Sequence, residues 1–278
     1  MSSPEELKGV VKEKYTAIAG QSRKENAASC CGTGGCCTVD YEVFAEDYTR
    51  LQGYAPEADL ALGCGIPTEF AQIKPGDTVI DLGSGAGNDV FVARTLVGDA
   101  GKVIGIDMTD AMIEKARANN DRLGFNNVEF RPGDIEKIPV TAGIADVVVS
   151  NCVLNLVPNK AQAFAEMFRV LKTGGHFSVS DVVVSGTLPP AIRNAAEMYA
   201  GCVSGAIDKS LYLELLRKAG FADVDVKKEK PIILPDEILL QYMSAADMAS
   251  FRASGATISS ITVYGKKTAC CAPGSACC

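Results

Sequence analysis

Apolar residues along this chain alternate between short continuous runs and stretches with the spacing of a helix. The runs are rich in valine and isoleucine, which is typical of strands buried on both faces of a parallel sheet. The predicted strands are residues 78–83, 102–107, 128–134, 145–151, 176–184, 223–230 and 258–265. Because helices separate most of these strands, the chain predicts an α/β fold with a doubly wound, mostly parallel, seven-stranded sheet.

Residues that favour helix ends delimit the predicted helices. Thr109, Asn159 and Asp208 are predicted N-caps, and glycines follow the last turns, with Gly174 and Gly175 ending the third helix. The predicted helices are residues 88–97, 109–124, 159–171, 191–200 and 208–220, with one more polar helix near the start of the chain.

Composition divides the chain into four predicted segments. Residues 1–60 are an N-terminal helical and loop segment with cysteine doublets, and residues 61–230 are the main domain with the ligand sites. Residues 231–269 contain a C-terminal helix and a closing strand, a small extension of the sheet. Residues 270–278, C-C-A-P-G-S-A-C-C, are predicted to be a flexible tail.

Charge and hydropathy limit the partners of the protein. The 278 residues carry a net charge of -7, which argues against nucleic acid and against an anionic membrane surface. The sequence contains no apolar run of about 18 residues, and its first residues lack the apolar core of a signal peptide. We therefore expect a cytoplasmic monomer whose thiols stay reduced.

A glycine-rich turn follows the first predicted strand. The segment D-L-G-S-G-A-G-N-D, residues 81–89, places Gly83, Gly85 and Gly87 between this strand and a helix. Glycines at such a turn allow the backbone to approach a ligand closely. Asp107 ends the second strand, 20 residues after Gly87, where an acid would receive ribose hydroxyls. The pattern predicts a site for a nucleoside-containing cofactor.

Two further acids favour one kind of cofactor over another. The spacing G-x-G-x-G differs from G-x-G-x-x-G, which is the fingerprint of NAD sites. Asp81 directly precedes the turn and fits a cationic cofactor better than a pyrophosphate. Asp134 closes the third predicted strand, where it would meet an adenine amino group.

The 11 cysteines fall into two groups. Three are solitary and lie within the predicted domain: Cys64, Cys152 and Cys202. Cys152 directly follows the fourth strand, at the edge of the sheet where α/β proteins bind ligands. Converging thiols predict a soft, thiol-seeking substrate. The other eight form doublets near the termini: Cys30-Cys31, Cys36-Cys37, Cys270-Cys271 and Cys277-Cys278.

His176 is the only histidine in the sequence. One histidine excludes zinc sites built on two or more imidazoles, and it argues against nucleophilic catalysis that depends on histidine. Because His176 begins an apolar run, we predict that it is a strand residue and not a catalyst.

From about residue 70 to residue 230 the chain resembles class I S-adenosylmethionine-dependent methyltransferases. Within that class it is similar to arsenite methyltransferases, although its C-terminal region is shorter. The similarity lies in the motifs D-L-G-S-G-A-G-N-D, G-I-D-M-T, S-N-C-V-L-N-L-V-P, R-V-L-K-T-G-G and S-D-V, and it extends to L-G-C-G-I-P and G-C-V-S-G-A.

The resemblance implies two sets of site residues. Trivalent arsenic would bind Cys64, Cys152 and Cys202. A redox cysteine would lie in the N-terminal segment, where we favour Cys36 or Cys37 as nearer the domain. The cofactor S-adenosylmethionine would contact Asp81, Gly83, Ser84, Gly85, Gly87, Asp107, Met108, Asp134, Ile135 and Asn151.

The expected activity is methylation of arsenite, with a thiol reductant of the thioredoxin or glutathione type as co-substrate. Three thiolates suit the pyramidal geometry of trivalent arsenic, and a disulfide would return the two electrons that methylation removes. One alternative is a methyltransferase for a small organic acceptor, which needs a base and leaves the cysteines structural. A second alternative is a thiol-rich metalloid-binding protein with an idle cofactor site.

Overall fold

The computed structural model describes residues 3–23, 26, 46–193 and 205–268. Seven strands form one sheet in the order β3-β2-β1-β4-β5-β7-β6. All neighbours are parallel except β7, which runs antiparallel to both β5 and β6. The predicted mostly parallel, doubly wound sheet is therefore confirmed. The strands are β1 (Thr78–Leu82), β2 (Lys102–Asp107), β3 (Val128–Pro132), β4 (Ala145–Asn151), β5 (Leu171–Ser185), β6 (Ala222–Ile232) and β7 (Thr257–Lys266).

Helices cover both faces of the sheet. Val79 and Ile80 are adjacent in β1 and both are buried, but their side chains belong to two different apolar clusters. Successive side chains of a strand point to opposite faces, so both faces of the sheet carry apolar side chains that helices bury. Among the described residues, no helix is long and apolar enough to cross a membrane. The helices are α1 (Pro4–Ala19), α2 (Pro67–Phe70), α3 (Asn88–Val97), α4 (Asp110–Leu123), α5 (Lys160–Val170), α6 (Pro190–Arg193), α7 (Lys209–Lys218), α8 (Asp236–Tyr242) and α9 (Ala245–Ala253).

The predicted helix caps agree with the structure in two cases and differ in chemistry in the third. Asn159 accepts the Gln162 N–H, and Asp208 accepts backbone N–H groups at the start of α7. Thr109 occupies the N-cap of α4, but its hydroxyl bonds Asp107 and makes no cap bond. The buried carboxylate at the end of β2 also accepts the Thr109 N–H and so holds the N-cap residue in place.

The boundary between α5 and β5 differs from the prediction. α5 stops at Val170, and β5 begins at Leu171, so residues 174–175 belong to the strand. Gly174 N–H donates to Lys267 O at 2.7 Å, and this bond draws the segment into the sheet.

The C-terminal segment contains two helices where one was predicted, because Ser244 caps α9 separately. Of the predicted helix 191–200, only residues 191–193 are described.

The carboxyl ends of β1, β2 and β4 meet at one edge of the sheet. The turn of residues 83–87 follows β1, Asp107 ends β2, and Asn151 ends β4 directly before Cys152. β2 and β4 lie on opposite sides of β1, so the strand order reverses direction at β1. This edge is therefore a topological switch point of the sheet. Ligand sites of open α/β sheets lie at such points.

Candidate functional site

A cleft of about 1130 Å³, its open mouth included, lies at this edge. The strand ends and the glycine-rich turn supply its floor, and α1 supplies one wall. Gly87 is not among the lining residues; it is the N-cap of α3, where a Cβ would meet the ring of Phe91. Of the site residues predicted from the sequence, those lining the cleft are Asp81, Gly83, Ser84, Gly85, Asp107, Met108, Asp134, Ile135, Asn151 and Cys152.

The turn after β1 requires glycine for two reasons. Gly83 has a φ of +71°, in the left-handed region that favours glycine, and a Cβ there would overlap the side chain of Val153. A Cβ on Gly85 would meet no atom within 4 Å, so the backbone there borders open space. The turn packs tightly on one side and leaves its peptide groups accessible to a ligand on the other.

Three buried carboxylates surround this turn: Asp81, Asp89 and Asp107. Burial, together with the negative charges of Asp89 and Asp107, raises the pKa of Asp81 well above its usual range. Burial raises the pKa of Asp89 to about 6 and also raises that of Asp107. Carboxylates concentrated in a cleft with little water favour a cationic ligand.

Asp107 is oriented by the backbone. Its carboxylate accepts the Gly85 N–H at 3.0 Å and the Thr109 N–H at 2.8 Å, one on each oxygen. The remaining lone pairs of the Asp107 oxygens can accept hydrogen bonds from a ligand in the cleft. Ser84 Oγ and Asn88 Oδ1 line the cleft and have no hydrogen-bond partner within the described part of the chain. These polar atoms and the carboxylates fit a nucleoside that carries a positive charge, as S-adenosylmethionine does.

We expect Asp107→Ala to weaken S-adenosylmethionine binding at least tenfold, because hydrogen bonds to a charged group contribute roughly 1.5–3 kcal/mol. Titration calorimetry measures the affinity directly. Asp121→Ala is the matched control, since Asp121 is exposed in the same region of the chain, on α4. Equal affinities of the two variants for S-adenosylmethionine would show that Asp107 does not bind the cofactor.

The affinity for S-adenosylmethionine should also rise with pH between about pH 4 and pH 7. A bound cation lowers the raised pKa values of Asp81 and Asp89, so the free protein holds more protons than the complex in this range. Binding then releases protons, and a rise in pH favours the complex. Calorimetry in two buffers of different ionisation enthalpy counts the protons. Proton uptake over this range would contradict the expectation.

Helix α1 lies along the cleft through Lys8, Val11 and Tyr15. Lys8 Nζ contacts Asp134 Oδ2 at 2.6 Å and also pairs with Glu136. Tyr15 lines the cleft and also packs against two of the apolar clusters. Asp134, which is predicted to contact the adenine, is thus paired with a lysine of α1, the helix that forms one wall of the cleft.

Cys64 and Cys152 are both buried and belong to one apolar cluster with Val11 and Leu156. Cys152 has a φ of +59°, which costs a non-glycine residue roughly 1–2 kcal/mol. Its N–H donates to Ser180 O at 2.7 Å, which fixes it beside β5. Strain retained at the edge of a cleft is typical of functional residues.

The other predicted thiols, Cys202, Cys36 and Cys37, lie outside the described residues. Within the described ranges, no three His, Cys, Asp or Glu side chains form a metal-binding group. Of the three predicted arsenic ligands the structure describes two, Cys64 and Cys152, and both belong to one buried apolar cluster. His176 lies elsewhere, with its Nε2 at 2.6 Å from Ala71 O, and it is a strand residue as predicted.

Several polar residues of this region were not predicted to have a role. Tyr48 is buried, and its hydroxyl donates to Asp89 Oδ1 at 2.9 Å. Tyr212 OH donates to Asp181 Oδ2 at 3.1 Å, and burial raises the pKa of Asp181 to about 7. Asp89 and Asp181 lie within the quoted motifs, whereas nothing in the sequence singles out Tyr48.

Fold and cleft together define a class I S-adenosylmethionine-dependent methyltransferase. A family model described as a methyltransferase domain matches residues 73–220. An arsenite methyltransferase of Halobacterium salinarum is 38% identical over 279 residues, which covers 96% of this chain and 68% of that protein. The chain belongs to the arsenite methyltransferase family.

Two further relatives agree with this assignment. An arsenite methyltransferase of Homo sapiens is 41% identical over 202 residues, and this chain spans about half of its length (52%). The crystal structure of an arsenic (III) S-adenosylmethionine methyltransferase from Chlamydomonas reinhardtii is 36% identical, with a TM-score of 0.62. The match covers 76% of this chain and 68% of that one.

Proposed function

We propose that this protein methylates trivalent arsenic, which is held by the thiolates of Cys64, Cys152 and Cys202, with S-adenosylmethionine as methyl donor. The observation that carries the proposal is the strained Cys152 at the end of β4. It lies in one apolar cluster with Cys64, and it borders the carboxylate-rich cleft. The names of the relatives support the same substrate.

The chemistry requires few groups from the protein. Each thiol that binds arsenite displaces a hydroxide as water, and three such bonds leave one lone pair on a pyramidal arsenic atom. Bound S-adenosylmethionine supplies a methyl group on a positively charged sulfur. The arsenic lone pair forms the arsenic–carbon bond while the carbon–sulfur bond breaks. No proton leaves the nucleophile, so positioning provides most of the catalysis.

The chain's own residues then have separable roles. Asp107 and the turn around Gly85 hold the nucleoside, and the buried carboxylates favour the cation. Val11 and Leu156 belong to the same buried apolar cluster as Cys64 and Cys152, and this burial limits the access of water to the two thiols. The proposed cofactor contacts are those implied by the resemblance apart from Asn151, whose amide is occupied by protein partners: Asp81, Gly83, Ser84, Gly85, Gly87, Asp107, Met108, Asp134 and Ile135.

A redox step completes the proposed cycle. Methylation oxidises arsenic from the trivalent to the pentavalent state. Two thiols, one of them Cys36 or Cys37, would form a disulfide and return two electrons to arsenic. A thioredoxin- or glutathione-type thiol would then reduce this disulfide. Such chemistry fits a reducing compartment such as the cytoplasm, and we propose a monomer there.

The two alternatives fit the site less well. A small organic acceptor would need a base in the cleft. Asp89 lines the cleft with a pKa of about 6, but its oxygens already accept from Tyr48 and Asn151. A metalloid-binding protein would not need the array of buried carboxylates and the open turn that the cleft preserves.

Incubation with methyl-labelled S-adenosylmethionine, arsenite and a dithiol tests the proposal. We expect label in methylated arsenic, and none when arsenite or the dithiol is omitted. Label that never enters an arsenical, from protein that binds the cofactor normally, would rule the activity out.

A further inference from the structure

The side chain of Asn151 joins the end of β4 to the loop that carries Cys64. Asn151 Oδ1 accepts the Cys64 N–H at 3.1 Å, and Nδ2 donates to Gly65 O at 2.9 Å. One amide thus bonds the backbone on both sides of the Cys64 side chain. The residue that follows Asn151 is Cys152, so the two thiols of the proposed site flank a single asparagine.

The loop lies against the strands without forming a strand of its own. Its position instead depends on side chains, because Ser260 Oγ of β7 donates to Cys64 O at 2.5 Å. A Cβ on Gly63 would lie 2.6 Å from Asn151 Nδ2, and one on Gly65 would lie 2.5 Å from Ser180 Oγ. The segment G-C-G therefore has glycine on both sides of Cys64 because the loop contacts β4 and β5 closely.

Two buried residues hold Asn151 in turn. Its Nδ2 lies 2.8 Å from Tyr48 OH and 3.0 Å from Asp89 Oδ2. Tyr48 OH contacts Asp89 Oδ1 at 2.9 Å and Gly65 O at 3.0 Å. Tyr48 and Asp89 are buried, and hydrogen bonds in such a network are costly to break. Asp89 belongs to the first turn of α3, so the network also reaches the cofactor turn.

The amide of Asn151 is therefore fully engaged by protein. Its two N–H groups face three acceptors, and its oxygen accepts from Cys64. Little capacity remains for a bond to the cofactor, the role that the resemblance implies for Asn151. The observed partners point instead to the arsenic side of the site.

We propose that Asn151, positioned by Tyr48 and Asp89, sets the position of the Cys64 thiol relative to Cys152. Asn151 is a positioning residue, since it acts through Cys64 and not on the reacting atoms. The inference rests on the proposed function, because the geometry matters only if both thiols bind arsenic. It assigns to Tyr48, Asp89 and Asn151 a single task, which is to complete the three-thiolate site.

X-ray absorption at the arsenic edge tests this inference on the full-length protein with arsenite bound. We expect three sulfur ligands in the unaltered protein and two in Asn151→Ala. Arsenite methylation should fall roughly 10–100-fold in the variant, while methylation of monomethylarsenite falls much less. The affinity for S-adenosylmethionine should not change, which a cofactor contact would not permit.

Two further variants control for folding. Tyr48→Phe keeps the buried ring and removes only the hydroxyl, and we expect the same selective loss in weaker form. Asn155→Ala removes another buried asparagine near Cys152, one whose amide has no hydrogen-bond partner in the described ranges. We expect Asn155→Ala to retain three sulfur ligands, so any loss of sulfur in Asn151→Ala is specific.

The outcomes separate the two proposals. Three sulfur ligands together with weakened cofactor binding in Asn151→Ala, and unaltered activity in Tyr48→Phe, would overturn the positioning role. Arsenic without sulfur ligands in the unaltered protein would overturn the proposed function and this inference with it. Selective loss of one sulfur, with cofactor affinity intact, supports both.

Discussion

Cys152→Ser is expected to abolish methyl transfer to both arsenite and monomethylarsenite, with a loss of at least about 100-fold on each. The backbone of Cys152 is fixed by a bond from its N–H to Ser180 O, directly beyond β4 and at the edge of the cofactor cleft. Serine has a similar size but a hard oxygen, which binds trivalent arsenic poorly. Both methylation steps depend on this ligand, so neither should survive. The rates of the variant with each substrate, measured at saturating cofactor, check the result.

Cys152→Gly separates loss of function from loss of the fold. Glycine adopts a φ of +59° without strain, which offsets much of the apolar burial that the cysteine provides. We expect the melting temperature and the cofactor affinity to stay close to those of the unaltered protein while activity disappears. Cys278→Ser, in the tail, should remain active. An active Cys152→Gly variant would show that Cys152 is retained for packing alone.

The order of strands and helices was predictable because buried parallel strands and amphipathic helices differ strongly in periodicity. All seven predicted strands are present, and the caps at Asn159 and Asp208 form as predicted. The start of β5 was missed because Gly174 and Gly175 favour a turn locally. Pairing with distant residues overrides that preference, as the bond from Gly174 to Lys267 shows.

The carboxylates that line the cleft were likewise predictable, since they lie at or just after the ends of strands. Asp81, Asp107 and Asp134 all line the cleft, where the carboxyl ends of β1, β2 and β3 place them. The network of Tyr48, Asp89 and Asn151 was not predictable. Tyr48 lies 41 residues from Asp89 and 103 from Asn151, and no periodic pattern connects positions so far apart.

The wall formed by α1 follows from the same kind of distant contact. A polar helix near the N-terminus was predicted, but its position across the cleft comes from contacts with distant residues, which include the ion pairs of Lys8 with Asp134 and of Lys12 with Asp110. These ion pairs join residues 126 and 98 positions apart, and their sequence neighbourhoods carry no signal for the pairing. Solvent-accessible pairs contribute little energy each, so they orient α1 more than they stabilise it.

Cys64→Ser is expected to impair the first methylation about 100-fold while leaving most of the second. Arsenite has three exchangeable ligands and uses three thiolates, whereas monomethylarsenite has two and remains bound by Cys152 and Cys202. Cys64 is the dispensable thiol because its loop is held by the side chains of Asn151 and Ser260, whereas Cys152 directly follows β4 and its N–H is bonded to β5. Separate rate measurements with arsenite and monomethylarsenite test this division, with Cys277→Ser as the matched cysteine control. Equal losses on both substrates would refute the division of roles, and full activity with arsenite would exclude Cys64 as a ligand.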